Sequence, residues 1–310
     1  MNRTFVVAAL ATLVSGAAMA QSSVTIYGRL NLTLESQDSN GVKTKVMNNN
    51  ASRLGFKGTE DLGGGLKAGF VLEHGFNPDT GTPAASFWGR QSEVNLSGGF
   101  GTLRLGNFIS EAYFATSDYI SMHNHETGTS SDALYAYIGR NTNKVAYRTP
   151  EFVKGFTIEG AVSAGEGGGR VRNYDVAVNY NGGPLHVGVG YERAGSAKQI
   201  AVSALYEFGS LIVGGMVQSD RNAYGVGDRT NVRGSVAYIV GANEFHLNVG
   251  KASDYSDVTE SGALQTTLGY NYNLSKRTKV YGYWTKVDAE RNTGYASDYS
   301  SIALGVRHNF

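Results

Sequence analysis

Apolar side chains recur at every second position of the chain from Val24 onward. In the segment 301–310 they share one parity, on which His308 is the exception: Ile302, Leu304, Val306 and Phe310. Small and polar residues occupy the other parity: Ser301, Ala303, Gly305, Arg307 and Asn309. Successive side chains of a β-strand point to opposite faces of the sheet, whereas a helix repeats every ~3.6 residues. The pattern therefore predicts strands with two unlike faces.

The alternating segments between turn signals number about sixteen, which is within the even-numbered range of outer-membrane barrels. The predicted strands are 24–35, 50–58, 65–76, 87–98, 101–107, 142–149, 155–163, 172–181, 184–193, 197–208, 210–219, 229–240, 242–251, 263–273, 278–288 and 299–310. Short turns, such as 181–184 and 241–243, connect some of these strands. Longer polar loops, such as 36–49, 165–170, 220–228 and 253–262, connect others. Two unlike ends of this kind are typical of an up-and-down antiparallel barrel.

The parity opposite the apolar one carries many charges. These residues are Arg29, Arg53, Lys57, Lys67, Glu73, Arg104, Arg148, Glu159, Glu192, Glu207, Arg233, Glu244 and Arg307. Burying each charge in a dry sandwich core would cost several kcal/mol. A closed barrel places the apolar parity against lipid and the charged parity against internal water, and closure satisfies the backbone. About sixteen strands leave room for an aqueous lumen, whereas about eight do not.

Composition removes several other classes of protein. The chain has no Cys, which excludes disulfide frameworks, thiolate zinc sites and cysteine nucleophiles. It has 27 basic and 26 acidic residues, which is not the basic excess of a nucleic-acid-binding protein. We expect no cofactor, no metal and no nucleic-acid partner.

Residues 1–20 are predicted to be a cleaved signal peptide. Arg3 precedes an apolar run from Phe5 to Val14, and Ala18-Met19-Ala20 has the small residues that a signal peptidase accepts. The alternative is a membrane anchor, but the run is shorter than the roughly 18–20 residues that a spanning helix requires. The prediction is export of one domain, residues 21–310, to the cell outer membrane.

Between the predicted fifth and sixth strands, residues 108–141 show no convincing alternation. A connection this long in a compact fold is usually functional or disordered. Its acids and aromatics include Glu111, Tyr113, Asp118, Glu126 and Asp132. We expect the loop to fold into the lumen and to face a basic wall of Arg29, Arg53, Arg104 and Arg148, since opposed charges across an aperture would set ion preference. The alternative is an ordinary external loop with solvated acids.

Several segments resemble general diffusion porins of Gram-negative bacteria, in their β-proteobacterial branch. The segment 52–68, SRLGFKGTEDLGGGLKA, resembles the first periplasmic turn of that family. Further similar segments are 23–28, 96–106, 145–150, 274–278 and 305–310. The resemblance covers nearly all of residues 21–310.

The resemblance implies a sixteen-stranded homotrimeric barrel whose third external loop folds inward, and passive diffusion of ions and small hydrophilic solutes. It implies contact with outer-membrane lipid and lipopolysaccharide, and reading of Phe310 by the barrel-assembly machinery. Two features depart from the family. Residues 123–126, His-Asn-His-Glu, replace a Gly-rich acidic tip, and Arg90 falls on the apolar parity of Val94 and Leu96.

Four other interpretations have weaker support in the sequence. An outer-membrane hydrolase would need a nucleophile motif, which is not recognised in the sequence. A plugged or structural barrel, such as an adhesin, would need a filled lumen or long adhesive loops. A metal site at His123, His125 and Glu126 would rest on three loop residues, and the glycines of 60–65 lack the Gly-Lys-Ser/Thr of a phosphate loop.

Overall fold

The computed structural model describes residues 23–118, 120, 133–139, 141–165, 171–292 and 298–310. The predicted signal peptide lies outside these residues. The strands are β1 Ser23–Ser39, β2 Val42–Asn49, β3 Arg53–Gly63, β4 Leu66–Asn77, β5 Thr82–Pro83, β6 Gln91–Gly98, β7 Gly101–Asn107, β8 Lys144–Arg148, β9 Phe156–Ser163, β10 Asn173–Gly182, β11 Leu185–Ala194, β12 Ala197–Phe208, β13 Leu211–Arg221, β14 Asp228–Val240, β15 Asn243–Ala252, β16 Ala263–Asn273, β17 Thr278–Ala289 and β18 Tyr299–Asn309. A short helix, α1 (Glu111–Tyr113), continues into a π-helical turn, Phe114–Asp118.

These segments form a closed antiparallel barrel. Strand β1 pairs with β18 on one side and with β2 and β3 on the other. Strands β2 and β3 are two parts of one wall strand, separated at 50–52, and the two-residue β5 pairs with the end of β4. The wall therefore has sixteen strands, as the alternation predicts.

Three of the predicted segments have wrong boundaries. The predicted strand 50–58 corresponds to β3, which runs from Arg53 to Gly63. Residues 36–49, predicted to be a polar loop, extend β1 and β2 into a hairpin that turns at Asn40-Gly41. Both turn residues have positive φ (52° and 80°), which Asn-Gly hairpin turns require. The predicted strand 87–98 begins at Gln91 instead, so Arg90 belongs to the preceding connection and does not follow the parity of Val94.

The two faces of the wall have the predicted chemistry. Apolar side chains such as Ile26, Leu34 and Leu304 are more than half exposed on the outside. Charged side chains of the opposite parity, such as Glu159 and Arg233, are almost fully buried within the barrel. Among the described residues, no helix is both long and apolar enough to cross a membrane.

The barrel closes where the last residue meets the first strand. Gly28 and Phe310 exchange two backbone hydrogen bonds of 3.0 and 3.1 Å. The Phe310 ring lies over Gly28, where a methyl group would be 2.4 Å from ring atom Cζ and 2.6 Å from the Arg53 carbonyl oxygen. A side chain at position 28 would therefore displace the terminal ring.

We expect Gly28→Ala to lower the free energy of unfolding by about 1–3 kcal/mol, because the methyl group overpacks the seat of Phe310. The measurement is the urea midpoint, followed by heat-modifiable electrophoretic mobility. Gly234→Ala is the matched control, since no heavy atom of the described residues lies within 4 Å of a methyl group there. Equal midpoints for the two variants would contradict the role assigned to Gly28.

Candidate constriction of the lumen

The connection between β7 and β8, residues 108–143, is here called the lumen loop. The structure describes residues 108–118, 120, 133–139 and 141–143 of it. Its first limb begins at Ser110, whose hydroxyl caps α1 by accepting a hydrogen bond from the Ala112 amide at 3.1 Å. The Ser203 hydroxyl of β12 donates to the Ala115 carbonyl at 2.9 Å. This limb therefore lies against the inner face of the wall.

Glycines in β11 permit this close approach. A methyl group at Gly188 would lie 1.9 Å from the Ala115 carbonyl oxygen, and one at Gly190 would lie 2.7 Å from the Ala112 carbonyl oxygen. Neither distance is compatible with van der Waals contact. The absence of side chains at these two wall positions therefore sets how deeply α1 and the following turn sit against the wall.

The second limb is held by amide side chains of the wall. Gln218 of β13 both accepts from the Ala136 amide (3.0 Å) and donates to the Ala136 carbonyl (2.9 Å), as a neighbouring strand would. Gln199 donates to the Tyr135 hydroxyl at 3.0 Å. Arg229 of β14 donates to the Leu134 carbonyl at 2.9 Å. The loop is thus bonded to the wall formed by β12 to β14.

Apolar contacts strengthen this attachment. Ile120 and Tyr135 pack with wall residues in one buried cluster: Ala201, Leu205 and Met216. Leu134 packs in a second cluster with Ala252, Ala263 and Val287. Burial of these side chains favours the inward position of the loop. The prediction that the long connection folds into the lumen is consistent with this packing.

On strands β7 and β8, Arg104 and Arg148 lie in a network of carboxylates. Arg104 donates to Glu93 at 2.8 and 3.0 Å and to Glu159 at 3.0 and 3.1 Å. Arg148 donates to Glu159 at 2.8 Å and forms an ion pair with Glu111 of the lumen loop. Three carboxylates therefore surround these two arginines, and their positive charge is compensated locally.

A second group of arginines, here called the basic cluster, contains Arg29, Arg53, Arg90 and Arg307. Glu73 lies within it, 2.6 Å from Arg90 and 3.8 Å from Arg53. Arg29 donates to the Asn309 amide oxygen at 3.2 Å and lies within electrostatic range of the other three arginines. Glu244, near Arg307, also pairs with Lys279 at 3.3 Å. The cluster therefore carries a net positive charge.

The lumen loop and the basic wall together line a cavity of about 520 Å³. Arginines and aromatic rings both contribute to its lining: Arg53, Arg90, Arg104, Phe108, Tyr113, Phe114, Tyr135 and Tyr137. Asp118 and Glu73 also line it. We call this cavity the aperture.

The structure brings most of the predicted site residues together. Arg53, Arg104, Tyr113 and Asp118 line the aperture, Arg148 and Glu111 pair beside it, and Arg29 belongs to the basic cluster. Glu126 and Asp132 lie outside the described residues, as do His123 and His125. Sequence reasoning missed Arg90, Arg307 and Phe114 as site residues, although Arg307 was already on the charged parity.

Burial raises the pKa of the Glu111 carboxyl above its ordinary value, and the charge of Arg148 opposes this rise only in part. Glu159 adds to the rise, whereas Arg104 and the Asn179 amide, which donates at 3.2 Å, lower it. Glu111 therefore loses its charge at a higher pH than a solvated glutamate does.

Comparison with known proteins identifies the family. The family model described as Gram-negative porin matches residues 6–293. The chain is 33% identical to outer membrane porin protein 32 of Delftia acidovorans over 308 residues, which cover 88% of this chain and 86% of the relative. It is 27% identical to major outer membrane protein P.IB of Neisseria meningitidis, with coverage of 96% and 87%.

Solved structures agree. The anion-selective porin from Comamonas acidovorans superimposes with a TM-score of 0.78 and 28% identity, covering 94% of this chain and all of that one. Salmonella typhi OmpF has a TM-score of 0.76 at 14% identity, with coverage of 93% and 97%, which shows the shared fold alone. These relatives are channels, so the expectation of a non-enzymatic protein is confirmed. The chain belongs to the Gram-negative porin family and forms a channel in the outer membrane.

Proposed function

We propose that this porin is a passive diffusion channel that prefers anions and that the aperture is its constriction. The observation that carries the proposal is the basic cluster, in which Glu73 pairs with Arg90 and Arg53 and the four arginines leave a net positive charge. The compensated arginines Arg104 and Arg148 contribute less to the field, because carboxylates neutralise them locally. The solved relative described as anion-selective supports the same preference for anions.

The mechanism is sieving combined with electrostatics, and no bond is made or broken. The lumen loop narrows the channel, so a solute passes close to the arginines. A narrow, partly desolvated aperture weakens dielectric screening and strengthens the attraction of each guanidinium for an anion. Conduction requires that this attraction be strong enough for entry and weak enough for release.

Maturation and assembly are part of the proposal. Residues 1–20 would be removed on export, leaving one domain from residue 21 to 310. The mature chain would assemble as a homotrimer in contact with outer-membrane lipid and lipopolysaccharide. Phe310, which is 42% exposed although its ring covers Gly28, would be available to the barrel-assembly machinery before closure.

The experiment is single-channel recording of the refolded chain, residues 21–310, in a planar bilayer across a KCl gradient. Openings in three equal steps would support a hollow trimer. A reversal potential displaced towards the equilibrium potential of chloride would support anion preference. Insertion without conductance would contradict the proposal and favour a plugged barrel. A reversal potential displaced towards the equilibrium potential of potassium would contradict the anion preference.

Replacing Arg53 or Arg90 with Ser should lower the chloride-to-potassium permeability ratio severalfold, since a unit charge at ~4 Å contributes about 1 kcal/mol even in water. Reversal potentials in a KCl gradient measure the ratio. Arg291→Ser is the matched control, because this side chain is 84% exposed in the connection after β17 and its charge is screened over about 8 Å of saline. Unchanged reversal potentials in both aperture variants would show that the basic cluster does not determine ion selectivity.

Gly188→Ala should narrow the channel, because a methyl group on the wall pushes the loop further into the lumen. The added methyl group would overlap the Ala115 carbonyl oxygen, so the loop must move away from its seat by about 1 Å or more, at a cost of about 1–3 kcal/mol. Conductance and the urea midpoint are the measurements. Gly250→Ala, whose methyl group would meet its nearest neighbour at 3.7 Å, is the control. Identical conductance and stability in the two variants would contradict the close contact between the loop and the wall at Gly188.

Acidification should increase anion preference in part through Glu111. Its raised pKa means that the folded protein binds this proton more tightly than the unfolded chain does. Protonation therefore favours the fold, and the contribution is lost as the pH rises through the folded-state pKa. In Glu111→Gln, the shift in reversal potential on lowering the pH should be smaller than in the unmodified protein. A titration curve identical to that of the unmodified protein would disprove this assignment.

A further inference from the structure

The aperture has an aromatic side as well as a basic one. Tyr113 lies between Phe114 and Tyr137, with ring centroids 5.8 and 5.6 Å away. Phe114 is 39% exposed and Tyr137 is 36% exposed, and all three rings line the aperture. The lumen loop therefore presents aromatic surface to passing solutes as well as carboxylates.

Arg53 and Arg90 line the same cavity. A guanidinium group binds a carboxylate through two parallel hydrogen bonds, which a chloride ion cannot match. An aromatic ring binds another ring edge-to-face or in an offset stack, with about 0.5–1.5 kcal/mol beyond the burial of area. One solute can make both contacts at once if it carries a ring and a carboxylate.

The size and the remaining charges of the aperture restrict this solute further. A cavity of about 520 Å³ is within the usual range of small-molecule sites. Asp118 and Glu73 also line it, and their carboxylates would repel a second negative charge on the solute. A single carboxylate on a single ring fits these constraints better than an aliphatic dicarboxylate does.

We propose that the aperture preferentially binds and passes aromatic monocarboxylates of the benzoate class, with Phe114 and Tyr137 contacting the ring and Arg53 and Arg90 contacting the carboxylate. This inference rests on the proposed anion-preferring constriction and names its solute class. Binding is weak and transient, as passage requires.

The test compares three probes in the refolded chain, each added to KCl during single-channel recording. Benzoate has both groups, cyclohexanecarboxylate keeps the charge and approximate size without the aromatic ring, and benzamide keeps the ring without the charge. We expect benzoate to reduce the chloride current at a concentration about threefold to tenfold lower than cyclohexanecarboxylate does. Benzamide should reduce it least.

Variants assign the effect to the residues. Phe114→Leu keeps an apolar side chain and should bring benzoate to the level of cyclohexanecarboxylate. Tyr137→Leu makes the same test from the other limb of the loop, so a folding failure of one variant does not decide the result. Phe245→Leu, on the outer face of β15 and 47% exposed, is the matched control and should leave the difference between the probes intact. Arg90→Gln should weaken both carboxylates similarly.

Equal potency of benzoate and cyclohexanecarboxylate in a channel that prefers chloride would overturn the inference and leave the proposed function standing. A benzoate preference that persists in both Phe114→Leu and Tyr137→Leu would also overturn it, because the ring would then bind elsewhere. Benzamide as potent as benzoate would remove the arginines from the site. A channel that prefers potassium would instead overturn the proposed function.

Discussion

The structure depends on one constraint: a chain that crosses lipid through strands must pair every backbone amide and carbonyl within its own sheet. Antiparallel pairing from β1 through β18 and back to β1 meets this requirement. Closure then separates an outer face in contact with lipid from an inner face in contact with water. The alternation in the sequence follows from this separation, and so does the presence of charged side chains inside the barrel.

The width of the channel is determined by the wall as much as by the lumen loop. Gly188 leaves space for the loop backbone, and Gln218 supplies the hydrogen bonds that an adjacent strand would otherwise make. Buried backbone groups that lack partners are costly, so a loop can enter the lumen only where the wall satisfies them. Gln218, Ser203 and Arg229 of β12 to β14 therefore hold the loop against the wall.

Periodicity predicted the number of barrel strands and the direction of side chains such as Arg53 and Arg104, because a period of two reports local backbone geometry. It failed for residues 36–49, where lysines and other polar residues extend the hairpin without an apolar face, although Asn40-Gly41 is itself a hairpin signal. It could not predict the bond between Gln218 and Ala136, which are 82 residues apart and meet only through the complete barrel register. Glu126 and Asp132 remain predictions.

The pairing of β1 with β18 has a consequence for how the barrel forms. Arg29 contacts Asn309 across 280 residues of sequence, so the bonds that close the wall join the most distant parts of the chain. Contacts of such high sequence separation carry a large loop-closure entropy and slow the folding of a domain. Until the final strand has been delivered, β1 retains an unpaired edge that can template misassembly. A chain of this topology therefore gains from being held unfolded until its last residue is available.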